Sequence, residues 1–333
     1  MRFPFTFGAV NTMQDRHERG LPVKRLVVVI LVAALAWSGA WFWQAHAQRK
    51  AIDAWAAELD ARGIAVTWDD LVIRGFPNRL DSTFTGFASS DPQNDLKIEA
   101  PVVQVLSMIW NRDHIIAALP RGAGLTRNGK SYALDGEGIR ASLVRHGTVL
   151  QRVHVEATVL NLSGEISVAM SGVTGAVTLA DGETAYRVAF NADDFALSAP
   201  TGRGALRLDA TVDLAESAAA PHMAVQNVTA IRLTRMELEL GPLTLAAVGT
   251  VDVDADGLLD GAVSVRADNL SEAIAAERAA GGGAPRMLLA IEQAVSLFSG
   301  LSGRKDGIEA TFEFRGGKTW VGILPIGPAP HLR

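Results

Sequence analysis

The sequence predicts a mainly β protein: an elongated, curved antiparallel sheet, open or barrel- or sandwich-like, with a helical hairpin insert, preceded by a single N-terminal transmembrane helix. Three observations carry that reading. The stretch LVVVILVAALAWSGAWFWQA, residues 26–45, holds no charged side chain. From Ile64 onward, apolar and polar residues alternate with period two in many short runs. Turn pairs such as Asn128-Gly129, Asp181-Gly182 and Asp256-Gly257 separate those runs, as hairpins require.

Residues 1–25 form a basic leader. Its first twelve residues, MRFPFTFGAVNT, show no usable period and are expected to be disordered or to precede the true start; Met13 opens a more typical basic leader. The apolar part from Leu26 to Trp43 makes a helix of roughly 27 Å, close to the hydrocarbon thickness of a bilayer. Lys24 and Arg25 stand before it, which favours a cytoplasmic N-terminus and an exported remainder. Trp37, Trp41 and Trp43 crowd its far end, where indole rings favour the membrane–water boundary. The competing reading is a cleaved signal peptide, with Ala45-His46-Ala47 as the small-x-small site. An apolar run longer than the usual 7–15 residues favours a retained anchor.

Residues 46–63 read as an amphipathic continuation of the anchor. Ile52, Trp55, Ala56 and Leu59 share one helical face, and Asp53, Glu58 and Asp60 the other. Gly63 supplies a left-handed stop. Residues 64–333 then form a β-rich domain on the exported side, with roughly fourteen strand candidates between Ile64 and Ile323. LRLDATVDL (Leu206–Leu214), RMELEL (Arg235–Leu240), TVDVDA (Thr250–Ala255) and GAVSVRA (Gly261–Ala267) alternate cleanly, the signature of an antiparallel sheet with one wet face. A helical insert interrupts it near 270–300. Asn269 with Glu272 resembles a capping box for a first helix ending at Gly281-Gly282-Gly283. Pro285 opens a second, whose Met287, Leu288, Ile291, Ala294, Val295 and Phe298 make one apolar stripe suited to packing on a sheet. Two strands, near Ile308–Phe314 and Thr319–Leu324, lead into a proline-rich end.

The 333 residues suffice for a large core, and a hydrophobic share of 48% with mean hydropathy +0.18 fits a chain with a membrane segment. There is no cysteine, which excludes disulfides, thiolate metal sites and thiol nucleophiles. Residues 1–50 carry seven bases against two acids, while the remainder carries 24 against 34, a net of −10. So acidic a body repels phosphate polymers, and no nucleic-acid partner is expected.

The search for chemistry yields little. His114, His146, His154, His222 and His331 lie on the exported side without a metal-type partner at helical spacing. In DVDADGLLDGAV, Asp252, Asp254, Asp256, Gly257 and Asp260 match positions 1, 3, 5, 6 and 9 of a calcium loop, but Val263 stands where a bidentate Glu is needed. The alternation instead places Asp252 and Asp254 on a wet strand face. Gly281–Gly283 lacks the Lys-Ser/Thr of a phosphate loop. The reading is therefore no enzyme, no cofactor and no metal site.

One local feature stands out: LVIRGFPNRLDSTFTG, Leu71–Gly86. Pro77 pushes Phe76 towards extended geometry and Gly75 permits a positive φ. Between two strand-like segments this reads as a hairpin or bulge corner, with Arg74 and Arg79 solvated beside Asp69, Asp70 and Asp81. The functional alternative makes Arg74, Gly75, Phe76, Pro77 and Arg79 a docking corner near the anchor, the arginines meeting lipid phosphates or a protein partner.

GFPNRLD behind an N-terminal anchor, then LGPLTLAAVGTVDVDADGLLDGAVSVRADNL, then VGILPIGPAPHL, resembles an uncharacterised Gram-negative inner-membrane family, the domain of unknown function 2125. The resemblance covers most of residues 22–333 and brings no catalytic residues. GTVDVDADGLLDG is also similar to strands of the AsmA-like envelope proteins, whose curved sheets are associated with carrying lipid. Together these imply a single-pass inner-membrane protein with its bulk in the periplasm. It would bind or guide phospholipid or another lipid in envelope maintenance, or serve as a non-catalytic scaffold for an inner-membrane protein partner.

Overall fold

The computed structural model describes residues 23–165, 167–180, 182, 184–198, 201–216, 228–279 and 307–332. The apolar stretch and its amphipathic continuation are one uninterrupted helix, α1 (Val23–Ala61), 39 residues long, or roughly 58 Å, long and apolar enough in its first part to cross a membrane. It stops as expected: Gly63 has φ +83°, and the amides of Gly63 and Ile64 bond back to the carbonyls of Asp60 and Leu59 at 2.8 and 2.9 Å. From Trp41 to the end of the helix the shielded positions are Trp41, Gln44, Ala45, Ala47, Gln48, Ile52, Ala56 and Leu59. Trp55 is exposed, a correction to the apolar stripe drawn from the sequence. The most extensive strand contacts of the helix are with the short strands at the margin of the sheet.

The β region begins with β1 (Ala65–Thr67), β2 (Asp70–Arg74), β3 (Arg79–Asp91), β4 (Leu96–Met108), β5 (Asn111–Ala118) and β6 (Ala123–Arg127). It continues with β7 (Lys130–Glu137), β8 (Arg140–His146), β9 (Val149–Ser163), β10 (Val168–Leu179), β11 (Ala185–Ser198) and β12 (Thr201–Leu214). Then come β13 (Val228–Leu240), β14 (Leu243–Val253), β15 (Leu259–Asp268), α2 (Leu270–Ala279), β16 (Gly307–Arg315), β17 (Lys318–Val321) and β18 (Leu324–Pro328). Among the described residues, seventeen strands lie between Ile64 and Ile323, where roughly fourteen were expected, and β18 follows them. The run IAVTWDDLVI is broken at Trp68-Asp69 into two strands on one partner. The proline-rich tail is itself a strand, because Pro325 and Pro328 sit in an edge strand, where a missing N–H can face away from the ladder. The second helix expected from Pro285 lies outside the described residues.

All strands join one antiparallel sheet. Strands β9 to β18 form a simple meander. Between β4 and β9 the sheet divides into two short ribbons, β5–β8 beside one half of each long strand and β6–β7 beside the other. One margin holds β1 and β2, both on β3, and the other β18, so the sheet is not a closed barrel. Asn128 and Gly129, with φ of 51° and 70°, make the two-residue turn of the β6–β7 hairpin.

Cross-strand register shows how the alternation is spent. Leu143 pairs with Val153, Val153 with Val177, Val177 with Val188, Val188 with Ala210, and Ala210 with Leu233. The same row continues through Gly249, Val263 and Phe312 to Val321. One step along each strand, on the opposite face, Arg152, Thr178, Arg187, Thr211, Arg232 and Thr250 form an equally continuous row. A one-residue slip would exchange these faces, so bulges must preserve parity. Between Ala192 and Phe195 in β11, a bulge absorbs Asp193 and Asp194 and returns Phe195 and Leu197 to the apolar side.

The apolar face is covered at its ends. Leu71, Leu80 and Ser82 are fully buried where α1 lies against β1 and β2. Leu270 and Ala273 of α2 pack on Leu243, Leu245 and Ala267. In the middle, Tyr186 is fully buried with Leu150 and Leu214, its hydroxyl donating to the Leu150 carbonyl at 2.9 Å. Val153, Val177 and Val188 nearby are only half-buried, and Val155 is 37% exposed.

Candidate functional site

The Gly-Phe-Pro segment is the turn between β2 and β3, and it is clamped to α1. Gly75 has φ +107°, and a Cβ there would meet Arg79 Cβ at 2.7 Å and the Arg79 carbonyl oxygen at 2.8 Å, so only glycine fits this closure. The amides of Asn78 and Arg79 both bond to the Gly75 carbonyl, at 3.1 and 2.8 Å. The Phe76–Pro77 peptide is cis. The two free carbonyls of the turn point at α1: Trp37 Nε1 donates to Pro77 O at 3.0 Å, and Trp41 Nε1 to Arg79 O at 2.8 Å. The Phe76 ring stands edge-on to Trp41, 5.6 Å between centroids, and stacks 6.4 Å from Phe42.

The clamp extends along the helix. Arg49 donates to the Leu71 carbonyl of β2, and Arg112 of β5 donates to Gln48 Oε1. The neighbouring turn, Ile109–Trp110 between β4 and β5, is tied to the corner by Ile109 N–H donating to Asn78 O at 3.2 Å. Trp41 is 6% exposed, the buried side chain of an otherwise accessible helix. Of the residues singled out from the sequence, Gly75, Phe76, Pro77 and Arg79 all contact or shape this clamp. Arg79 also forms an ion pair with Asp81 at 2.6 Å. Arg74 is the last residue of β2, opposite Asp81. The corner's partner is thus the chain's own helix. The sequence reading gave Trp37 and Trp41 to the membrane–water boundary, did not join them to the corner and did not single out Gln48, although their spacing of four and seven residues already places all three on one helical face.

The other candidates resolve into local structure. Asp254 Oδ1 accepts the amides of Asp256 and Leu258 at 2.9 and 2.8 Å, so the calcium-like segment uses that carboxylate to close its own turn. The C-terminal tail latches the same turn, with Leu332 N–H donating to Gly257 O and Leu259 N–H to Pro330 O. His114 Nε2 and Ser142 Oγ lie 2.8 Å apart across β5 and β8, a pairing the sequence did not reveal. The adjacent Asp113 is taken by Arg145. Among the described residues, no three His, Asp or Glu side chains converge as a metal site.

Charges on the wet face are paired at the surface. Ser171 and Arg203 both hydrogen-bond Asp194 and hold its carboxyl below the usual range. Arg140 does the same for Glu156. Several depressions mark the sheet. One of about 610 Å³ lies beside the parting of the two ribbons, bordered by Phe87, Ala100, Gly122, Gly124 and Leu134, where small residues leave room. Another, about 800 Å³, lies between Arg187, Asp209, Thr211 and Arg235.

Comparison with curated proteins and with solved structures returns no match. Residues 41–330 match a family model that begins at the clamping tryptophan and ends in the latching tail, and the chain belongs to that family, described as "Uncharacterized protein conserved in bacteria (DUF2125)".

Proposed function

We propose that this is a single-pass inner-membrane protein of a Gram-negative envelope, its sheet periplasmic, and that the apolar sheet face receives lipid acyl chains. The observation that carries this reading is the uncharged row from Leu143 to Val321 on a sheet that is not closed, with Val155, two residues beyond Val153 on the same face of β9, 37% exposed. Apolar surface left half-open to water is unfavourable by about 25 cal/mol per Å², a cost that a bound acyl chain removes. α1 supplies the proximity: one helix carries an 18-residue window of mean hydropathy 2.2 and then runs directly along the sheet margin.

The test is site-specific photocrosslinking in native membranes. A benzophenone amino acid at Val155, on the apolar face, should capture lipid. The same probe at Arg152, on the wet face, should not. Capture of protein alone from Val155 would favour the scaffold role, and equal capture from both faces would refute a lipid-selective surface.

A further inference from the structure

The end of the sheet that carries the corner also carries a group of exposed apolar side chains that the clamp does not use. Phe76 is 53% exposed despite its contacts with Trp41 and Phe42, and Trp110 at the neighbouring turn is 63% exposed. Met108, paired with Arg79, is exposed beside them. The two turns are bonded to each other, so these side chains form one tip. Exposed aromatic tips of this kind call for a covering surface.

The depth of that tip is set by the helix it touches. The apolar stretch ends near Trp43, and at 1.5 Å per residue Trp37 to Trp43 spans roughly the last 9 Å of it. Pro77 and Arg79 are bonded to Trp37 and Trp41, so the corner stands at the outer boundary of the hydrocarbon if α1 crosses the bilayer. Tryptophan N–H groups at that boundary ordinarily find lipid or water partners; here two of them are taken by protein carbonyls. The order of side chains above the tip also matches the boundary. Arg112, two residues past Trp110, reaches Gln48, about 7 Å further along the helix than Trp43. Aromatic rings lie deepest and guanidinium groups at the height of lipid phosphates, the arrangement amphipathic side chains take at a membrane surface.

We infer that the paired turns Gly75–Asn78 and Ile109–Trp110 are embedded in the membrane–water boundary next to the anchor, with Phe76, Met108 and Trp110 in contact with lipid. The sheet is then seated on the bilayer by its edge and does not hang from a free tether. This rests on α1 being a membrane anchor but not on lipid binding by the sheet face.

The chain has no cysteine, so single labelling sites are clean. The full chain in phospholipid vesicles would carry an environment-sensitive fluorophore on Trp110→Cys, Met108→Cys, Leu35→Cys or Gln93→Cys, with quenching by nitroxides attached to the lipid chains. Gln93 lies in the turn at the far end of the β3–β4 hairpin, roughly 40 Å from the tip at about 3.3 Å per residue. The labels at 110 and 108 should lose most of their fluorescence, as at Leu35, while the label at 93 keeps its own. Quenching at Leu35 without quenching at either tip site would overturn the inference and leave the anchor standing. No quenching at Leu35 would remove the anchor and the inference with it.

Discussion

Removing the Trp41 indole should loosen the sheet from the helix by a calculable amount. In a bilayer the unfolded sheet remains attached to an inserted α1, so Trp41 exchanges its protein contacts for lipid, not water. The usual cost of about 3–5 kcal/mol for truncating a buried large aromatic therefore does not apply in full. What is lost is the 2.8 Å hydrogen bond to Arg79 O and the edge-to-face contact with Phe76. These are worth about 0.5–1.5 kcal/mol each, so Trp41→Ala should cost about 1–3 kcal/mol. For a domain near 250 residues that is a melting-temperature drop of about 2–6 °C, read by thermal unfolding of the full chain in lipid nanodiscs. Trp41→Phe, which keeps a ring and loses the donor, should fall between. Trp43→Ala is the control: its ring is 71% exposed, and its effect should stay within about 0.5 kcal/mol. If Trp41→Ala melts where Trp43→Ala does, the corner is not held by the anchor and the reasoning fails.

Further outcomes follow from other sites. Gly172 in β10 has φ +58° and a Cβ there would collide with the Asp193 carboxylate; Gly172→Ala should destabilise by about 1–3 kcal/mol, visible as earlier melting, whereas Gly147→Ala at an open turn should cost less because nothing lies near its Cβ. Tyr186→Phe removes the bond to Leu150 O from the middle of the sheet and should cost about 0.5–1.5 kcal/mol without changing the circular dichroism. The Asp194 carboxyl is depressed by Ser171 and then Arg203, so its contribution is present above the ordinary aspartate pKa of about 3.9 and vanishes as pH falls through the lower folded value. Asp194→Asn should therefore lower the melting point at pH 7, with the difference shrinking as the pH falls below the ordinary aspartate range, the sign set by the unfolded state binding the proton more readily. Asp254→Ala should loosen the β14–β15 turn by about 1 kcal/mol, with hydrogen exchange rising at Asp256 and Leu258 alone.

The sequence by itself determined the elements whose physics is local. An uncharged run followed by an amphipathic one specifies a helix with an apolar first part and a two-faced second part, and α1 runs through both without a break. Period-two alternation determined that one sheet face would be apolar, and Asn128-Gly129 determined a tight hairpin. Gly75 announced a backbone that no other residue could adopt, and its φ of +107° agrees. The tertiary structure alone decided which residues meet. The bonds from Trp37 and Trp41 join residues about forty positions apart, a separation over which no periodicity carries information. The strands outnumber the roughly fourteen expected for a related reason: β1 and β2 share one partner, and the ribbons between β4 and β9 divide the sheet, because a ladder is made by two chain segments and alternation reports only one. The proline-rich end was given no strand in the sequence because proline withholds a donor, and only its place at the margin makes that loss harmless. Whether the sheet closes was settled by the partners of its end strands, and those are a property of the assembled fold.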